Sequence, residues 1–171
     1  MSKVLFISDL HLGHQNILKF SPTRGGTDMK SHSEWLVDQW NSVVTKQDLV
    51  WVLGDVCFNP IHMTYLNAMR GTKHLILGNH CKFPLEKYSK YFNRIHGFLK
   101  YKESWLSHAP IHPDSLRNLI NIHGHLHGGN VMKLNPETNE REKDKRYFNV
   151  SVEQLNGVPI SYEDILERTR P

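Results

Sequence analysis

Five separated stretches of this chain end in side chains that bind cations or move protons: Asp9-x-His11, Gly54-Asp55, Gly78-Asn79-His80, His108 and Gly124-His125-x-His127. An Asp-x-His by itself is ordinary, since an aspartate that caps a turn often has a histidine nearby. Here the arrangement recurs, each time after an apolar run. In extended backbone, residues i and i+2 project to the same side, so Asp9 and His11 are expected to converge from the end of a strand. Histidine is both a common metal ligand and the side chain that titrates near neutral pH, and the chain has twelve.

The elements that must position these groups follow from the apolar pattern. Val4 to Ile7 and Leu49 to Leu53 are short continuous apolar runs, which read as strands buried on both faces. Lys73 to Leu77 is a third, and Leu119 to Ile122 another. Loops at the carboxyl ends of such strands gather into one crevice. Between them, Ser31 with Glu34 reads as a capping box, and Leu36, Trp40, Val43 and Val44 form the buried stripe of the helix that follows. Asn59-Pro60 starts a second helix that stops at Gly71, and Met63, Leu66 and Met69 pack in the core. Pro84 to Tyr91 reads as a short helix, and Ile95 to Lys100 with Ser104 to Ser107 as a hairpin ending at His108. The mixed charges of 131–146 predict a solvated hairpin tip, Phe148 to Val152 a return to the sheet, and Ser161 with Asp164 the cap of a last helix.

At 171 residues the chain is expected to form a single domain, 1–171, with a core that needs no disulfide. The net charge of +4 suits anionic substrates but falls well short of a nucleic-acid-binding tail. The two cysteines, Cys57 and Cys81, form no framework, and the apolar run before Asp9 is too short for a signal peptide or membrane span. The expected setting is cytoplasmic, with no membrane partner.

Taken in order, the five motifs resemble those of the calcineurin-like metallophosphoesterase superfamily over Val4 to about Val152, and the Asp9 to Ile17 run is similar to that of small stand-alone bacterial and phage members. The resemblance implies an α/β fold, a four-layer sandwich of two mixed β-sheets flanked by helices. It implies two divalent metal ions. Asp9, His11, Asp55 and His127 would hold one, and Asp55, Asn79, His108 and His125 the other, with Asp55 shared. Two cations about 3.5–4 Å apart need such an anionic bridge. Nitrogen and oxygen donors without thiolate suit manganese, taken as first choice, and also iron, cobalt, nickel and zinc. The implied reaction is hydrolysis of a phosphodiester or nucleotide phosphoester by a metal-activated water, with His80 as the catalytic residue outside the metal shells. Its substrate is a small phosphoester or nucleotide. A small nuclease acting on short nucleic acid, or a non-catalytic interaction domain, are the alternatives, although every expected ligand position is filled.

Two further residues are candidate substrate contacts: His14 at the mouth of the site, and Arg24, flanked by the turn-rich Ser21 to Thr27 loop, as a phosphate clamp. His123 is open between contacting substrate or orienting a metal ligand and packing as a neutral histidine bonded to backbone. His32, His62, His74, His96 and His112 fit no motif and are expected at the surface or in packing. The family often has an acid after Gly-Asn-His, whereas this chain has Cys81, so His80 is expected to lack that polarising carboxylate. Cys57 and Cys81 are both expected to line the crevice, where oxidation would slow the enzyme.

Overall fold

The computed structural model describes residues 2–169. One sheet contains β1 (Val4–Ile7), β2 (Leu49–Leu53), β3 (Thr72–Ile76), β4 (Arg94–His96) and β11 (Ile160–Ser161), in the order β11-β1-β2-β3-β4. β1 to β4 run parallel and β11 is antiparallel to β1. The second sheet contains β5 (Leu99–Tyr101), β6 (Ser104–Leu106), β7 (Ile120–His123) and β10 (Tyr147–Asn149), in the order β10-β7-β6-β5. It is also mixed, with β5 antiparallel to β6 and the other pairs parallel. The pair β8 (Met132–Leu134) and β9 (Arg141–Lys143) forms the expected hairpin outside both sheets. Two mixed sheets flanked by helices are therefore present, as the motifs implied.

β1 and β2 are buried on both faces because each face meets a different layer. Leu5, Ile7, Val50 and Val52 join Leu36 and Trp40 of α2 (Met29–Val43) and Met63 and Leu66 of a 3₁₀ segment (Pro60–Asn67). The alternate residues Phe6, Trp51 and Leu53 join Leu106, Ile122 and Val150 of the second sheet, with Tyr162 and Ile165 of α5 (Tyr162–Thr169). Each such side chain contributes about 1.5–3 kcal/mol on burial. The central strands are thus clamped from both sides, and their carboxyl ends are held in place.

Several local expectations are corrected. α2 begins at Met29, capped by Asp28: Ser31 N donates to Asp28 Oδ1 (2.8 Å) and Asp28 N is within 3.1 Å of Ser31 Oγ. Ser31 is therefore the third helical residue of the box, and Glu34 pairs with Lys30 at 3.8 Å instead. Val43 ends the helix 38% exposed, so the buried stripe is Leu36 and Trp40 with Val44 beyond. The segment after Asn59 is 3₁₀, and the helix after Pro84 is confined to α3 (Leu85–Tyr88). The expected hairpin from Ile95 divides: β4 joins β3 in the first sheet, whereas β5 pairs with β6 in the second. Phe148 to Val152 is likewise split, since β10 ends at Asn149 and α4 (Val152–Leu155) follows.

Trp40 is 1% exposed and its Nε1 donates to Arg70 O at 2.9 Å. Trp40→Ala is expected to cost about 3–5 kcal/mol, and Val43→Ala less than about 0.5 kcal/mol. Urea unfolding of the two variants measures both, and equal losses would contradict this assignment of the helix faces.

Candidate metal centre

The β1–β2 ladder continues past the strand ends. Asp9 N donates to Gly54 O (3.2 Å), His11 N to Asp55 O (2.9 Å) and Leu12 N to Val56 O (3.0 Å). Asp9, His11 and Asp55 have φ of +60°, +51° and +48°, so all three are left-handed. The convergence of Asp9 and His11 therefore does not arise from strand alternation, because β1 has ended at Ile7. Gly54 (φ +95°) has the same conformation, and a Cβ there would run into His108 Nδ1 and lie 2.9 Å from Gly78 Cα.

The second sheet reaches the same place through Ser8. Ser8 N donates to Val150 O (2.9 Å) and Val152 N to Ser8 O (3.1 Å), while Gly124 N donates to His108 O (2.8 Å). These bonds seat the 123–127 loop over Asp9. A Cβ on Gly124 would collide with Ser8 Oγ and Asp9 Oδ2. His125 and His127, at φ +69° and +49°, complete the set.

The side chains form two groups. Ligand atoms of Asp9, His11 and His127 lie within 4.8 Å of one another, as do those of Asp9, Asp55 and His108. Asp9 belongs to both groups, and Asp55 Oδ2, in the second, lies 3.3 Å from His108 Nε2 and 3.8 Å from His11 Nε2 of the first. Asn79 Oδ1 is 2.8 Å and His125 Nδ1 3.3 Å from His108 Nε2. All seven expected ligands are thus brought together.

Five partners fix which atoms face inward. His108 Nδ1 is 2.8 Å from Leu53 O, a carbonyl that only accepts, so Nδ1 carries the proton and Nε2 faces the site. His127 Nδ1 is 3.0 Å from Glu153 Oε1, which likewise leaves its Nε2 free. Asp9 Oδ2 accepts from His125 N and Ser151 Oγ, both at 2.9 Å, and Asp55 Oδ1 accepts from His80 N at 2.9 Å. That leaves Asp9 Oδ1 and both nitrogens of His11 buried with no hydrogen-bond partner among the described residues. Unpartnered buried polar atoms are costly, and here lone pairs of carboxylate, amide and imidazole face one another. A cation would satisfy Asp9 Oδ1 and one nitrogen of His11, and the donor set of nitrogen and oxygen fits the divalent ions expected.

The electrostatics agree. Burial favours neutral Asp9, yet the His11 imidazole, whose Nε2 lies 3.6 Å from Asp9 Oδ1, and the neighbouring His108 and His127 hold its carboxyl far below the usual range. Burial lowers the pKa of His108, but the Asp55 hydrogen bond and the Asp9 and Asp55 charges outweigh it, and the result is raised. A potential that favours a proton at this nitrogen also favours a metal ion.

Arg24 is a correction. It is 4% exposed, and instead of reaching for substrate it donates NH2 to Asp9 O (2.7 Å) and NH1 to Leu10 O (3.1 Å), and Nε to Glu153 Oε1 (2.9 Å). Ser21 Oγ also donates to Glu153 Oε1 (2.7 Å), so the supposedly exposed loop is anchored at both residues. A guanidinium with these partners is not free to clamp phosphate. Glu153 was missed because its partners are far away in sequence; the available signal was an acid shortly after a buried strand, as at Asp9 and Asp55. Burial opposes its ionisation, but His127 and Arg24 bring its pKa down to about 2.

His80 lies beside Phe58, ring centroids 5.0 Å apart, and its Nδ1 is buried with no partner among the described residues. Among the described residues no carboxylate bonds His80 Nδ1 in place of the one that Cys81 displaces. Cys81 Sγ instead accepts from Gly78 N at 3.3 Å. Cys57 is 1% exposed, donates to Asn59 O (2.9 Å) and has its thiol pushed by burial to about 12. It is a protonated core thiol and does not line the crevice. His14 does line it, 5.7 Å from His11. His123 is buried, its pKa lowered by burial to about 4, with Nδ1 2.8 Å from Gly124 O. His32 and His74 are also buried, which leaves them in packing.

A profile of the calcineurin-like phosphoesterase family matches residues 2–165. The chain belongs to this family. It is 33% identical over 175 residues to an uncharacterized protein of Methanocaldococcus jannaschii, an alignment covering 98% of this chain and 91% of that one. The gene 66 protein of Mycobacterium phage L5 is 39% identical over 85 residues, 47% of this chain and 40% of its own. Among solved structures, a protein of unknown function from Aquifex aeolicus superposes with a TM-score of 0.72 at 25% identity, covering 98% of this chain and 99% of that one. Family membership supports metal-dependent phosphoester chemistry in general, and Asp9, His11, Asp55 and His108 are candidate metal-binding residues. No helix among the described residues is long and apolar enough to cross a membrane.

Arg24 and Glu153 are a buried pair, their side chains 0% and 8% exposed. Removing one partner strands the other, so Glu153→Ala is expected to lose about 3–5 kcal/mol. A thermal melt of the metal-free protein tests this, and an unchanged midpoint would show that the pair is not structural.

Proposed function

We propose that the protein is a binuclear-metal phosphoesterase hydrolysing phosphodiester or nucleotide phosphoester bonds. Asp9, His11, Asp55 and His127 hold one ion; Asp55, Asn79, His108 and His125 hold the other. The observation that carries the reading is the set of buried, unpartnered lone pairs around Asp9 Oδ1 and His11. When bound, such an ion pair supplies an activated water and offsets charge on the phosphoryl oxygens.

The protein's own groups set the geometry. Glu153 holds the proton of His127 on Nδ1, and Leu53 O does the same for His108. Ser151 and His125 N occupy one oxygen of Asp9 and direct the other inward. Asp55 is shared because Oδ1 is held by His80 N while Oδ2 faces both groups. His80 stands outside the ligand set, and its imidazole stabilises the departing oxygen or protonates it. Phe58 packs against both His11 and His80.

Metal content and hydrolysis of bis(4-nitrophenyl) phosphate by the reconstituted protein separate these roles. Asp55→Ala is expected to lose bound metal and activity together. His80→Ala is expected to keep both ions and lose roughly a hundred- to ten-thousandfold in turnover; full turnover by the metal-loaded variant would remove His80 from the mechanism. Glu153→Gln is expected to weaken metal binding by about 10–100-fold, read by competition with a chelating dye.

A further inference from the structure

A cavity of about 390 Å³ opens beside the proposed metal ligands, within the range of about 300–1,000 Å³ usual for small-ligand sites. His11, His80 and His127 line its inner side, and Ile17, Phe20 and Phe58 line the rest. The Phe58 ring lies nearly parallel to His11 (5.1 Å, 19°) and edge-on to His14 (4.4 Å, 81°). Phe20, the last residue of α1 (Ile17–Phe20), is 73% exposed and 6.1 Å from the His14 ring. A large aromatic side chain left this open beside an aromatic cavity has a face that nothing among the described residues covers.

The lining also has a telling charge pattern. No Lys, Arg, Asp or Glu among the described residues lines the cavity, and its one hydroxyl, Ser21 Oγ, is already donated to Glu153. Arg24 is committed to the same carboxylate. A second phosphate would find no Lys or Arg here, only imidazoles, of which His11 and His127 are already placed among the metal ligands. A planar neutral ring would find aromatic surfaces.

We infer that this slot takes the base of a nucleoside whose phosphoester lies on the metal side, so that the substrate class is nucleoside phosphoesters in preference to sugar phosphates or polyphosphates. The inference rests on the phosphoesterase reading above, because the shared histidines are what place the occupant next to the phosphoryl group. Every base has a π-face, so stacking on Phe20 and Phe58 predicts affinity with little base selectivity.

Calorimetric titration of the whole manganese-loaded protein with AMP, ribose 5-phosphate and inorganic phosphate tests it. AMP is expected to bind roughly tenfold more tightly than ribose 5-phosphate, the scale of one base stacked on an aromatic side chain. Phe20→Ala should remove most of that ratio and Phe20→Tyr should keep it. Equal affinities in the parent, or a ratio untouched by Phe20→Ala, would overturn the slot. If phosphate binds and bis(4-nitrophenyl) phosphate is hydrolysed while AMP and ribose 5-phosphate tie, the slot alone fails; if neither occurs, the phosphoesterase reading fails and the slot with it.

Discussion

The parallel ladder between β1 and β2 does not stop where the strands do. Its hydrogen bonds run on through Asp9, His11 and Leu12 on one side and Gly54, Asp55 and Val56 on the other, while the chain turns left-handed at Asp9, His11, Gly54 and Asp55. That combination holds two carboxylates and an imidazole side by side on backbone that has no freedom to drift. Five of the seven proposed ligands, Asp9, His11, Asp55, His125 and His127, have positive φ. Each such non-glycine residue costs on the order of 1 kcal/mol or more. The doubly buried strands β1 and β2 and the Ser8 to Val150 bond between the sheets supply the rigidity that sustains this strain.

Around the strained backbone is a second layer that decides which atoms are available. Leu53 O and Glu153 each occupy one nitrogen of a histidine, and Ser151 occupies one oxygen of Asp9. Arg24 ties this layer to the backbone of Asp9 and Leu10 while neutralising Glu153. A cation sits close to the proposed metals without opposing them, because its charge is spent on a buried carboxylate and two carbonyls.

Much of this was legible in the residues themselves. The continuous apolar runs at Val4 and Leu49 identified strands covered on both faces, and the acids, amide and imidazoles that follow apolar runs are the groups the fold gathers into one cluster. What failed were inferences that need distant partners. Arg24 looked solvated because Pro, Gly and Thr surround it, yet its burial depends on Glu153, 129 positions away. The cap of α2 went to Asp28 because its carboxylate reaches Ser31 N and so outcompetes Ser31 for that end. The division between β4 and β5 was hidden since a turn at Gly97 is equally compatible with a hairpin and with a crossing between sheets. The Asp9–His11 pairing was anticipated for the wrong reason: the residues meet through left-handed turns, which short-range alternation cannot reveal.

Asp9 Oδ2 finds its donors at His125 and Ser151, 116 and 142 positions further along. During synthesis the first strand therefore emerges carrying a carboxylate whose partners have not yet been made. The first half of the chain can assemble β1, β2 and β3, but it cannot satisfy the group at their shared edge, and closing that contact is among the most non-local steps available to the fold. The cluster is complete only once the chain has been made through Ser151, so any shorter nascent chain carries Asp9 without its full set of donors.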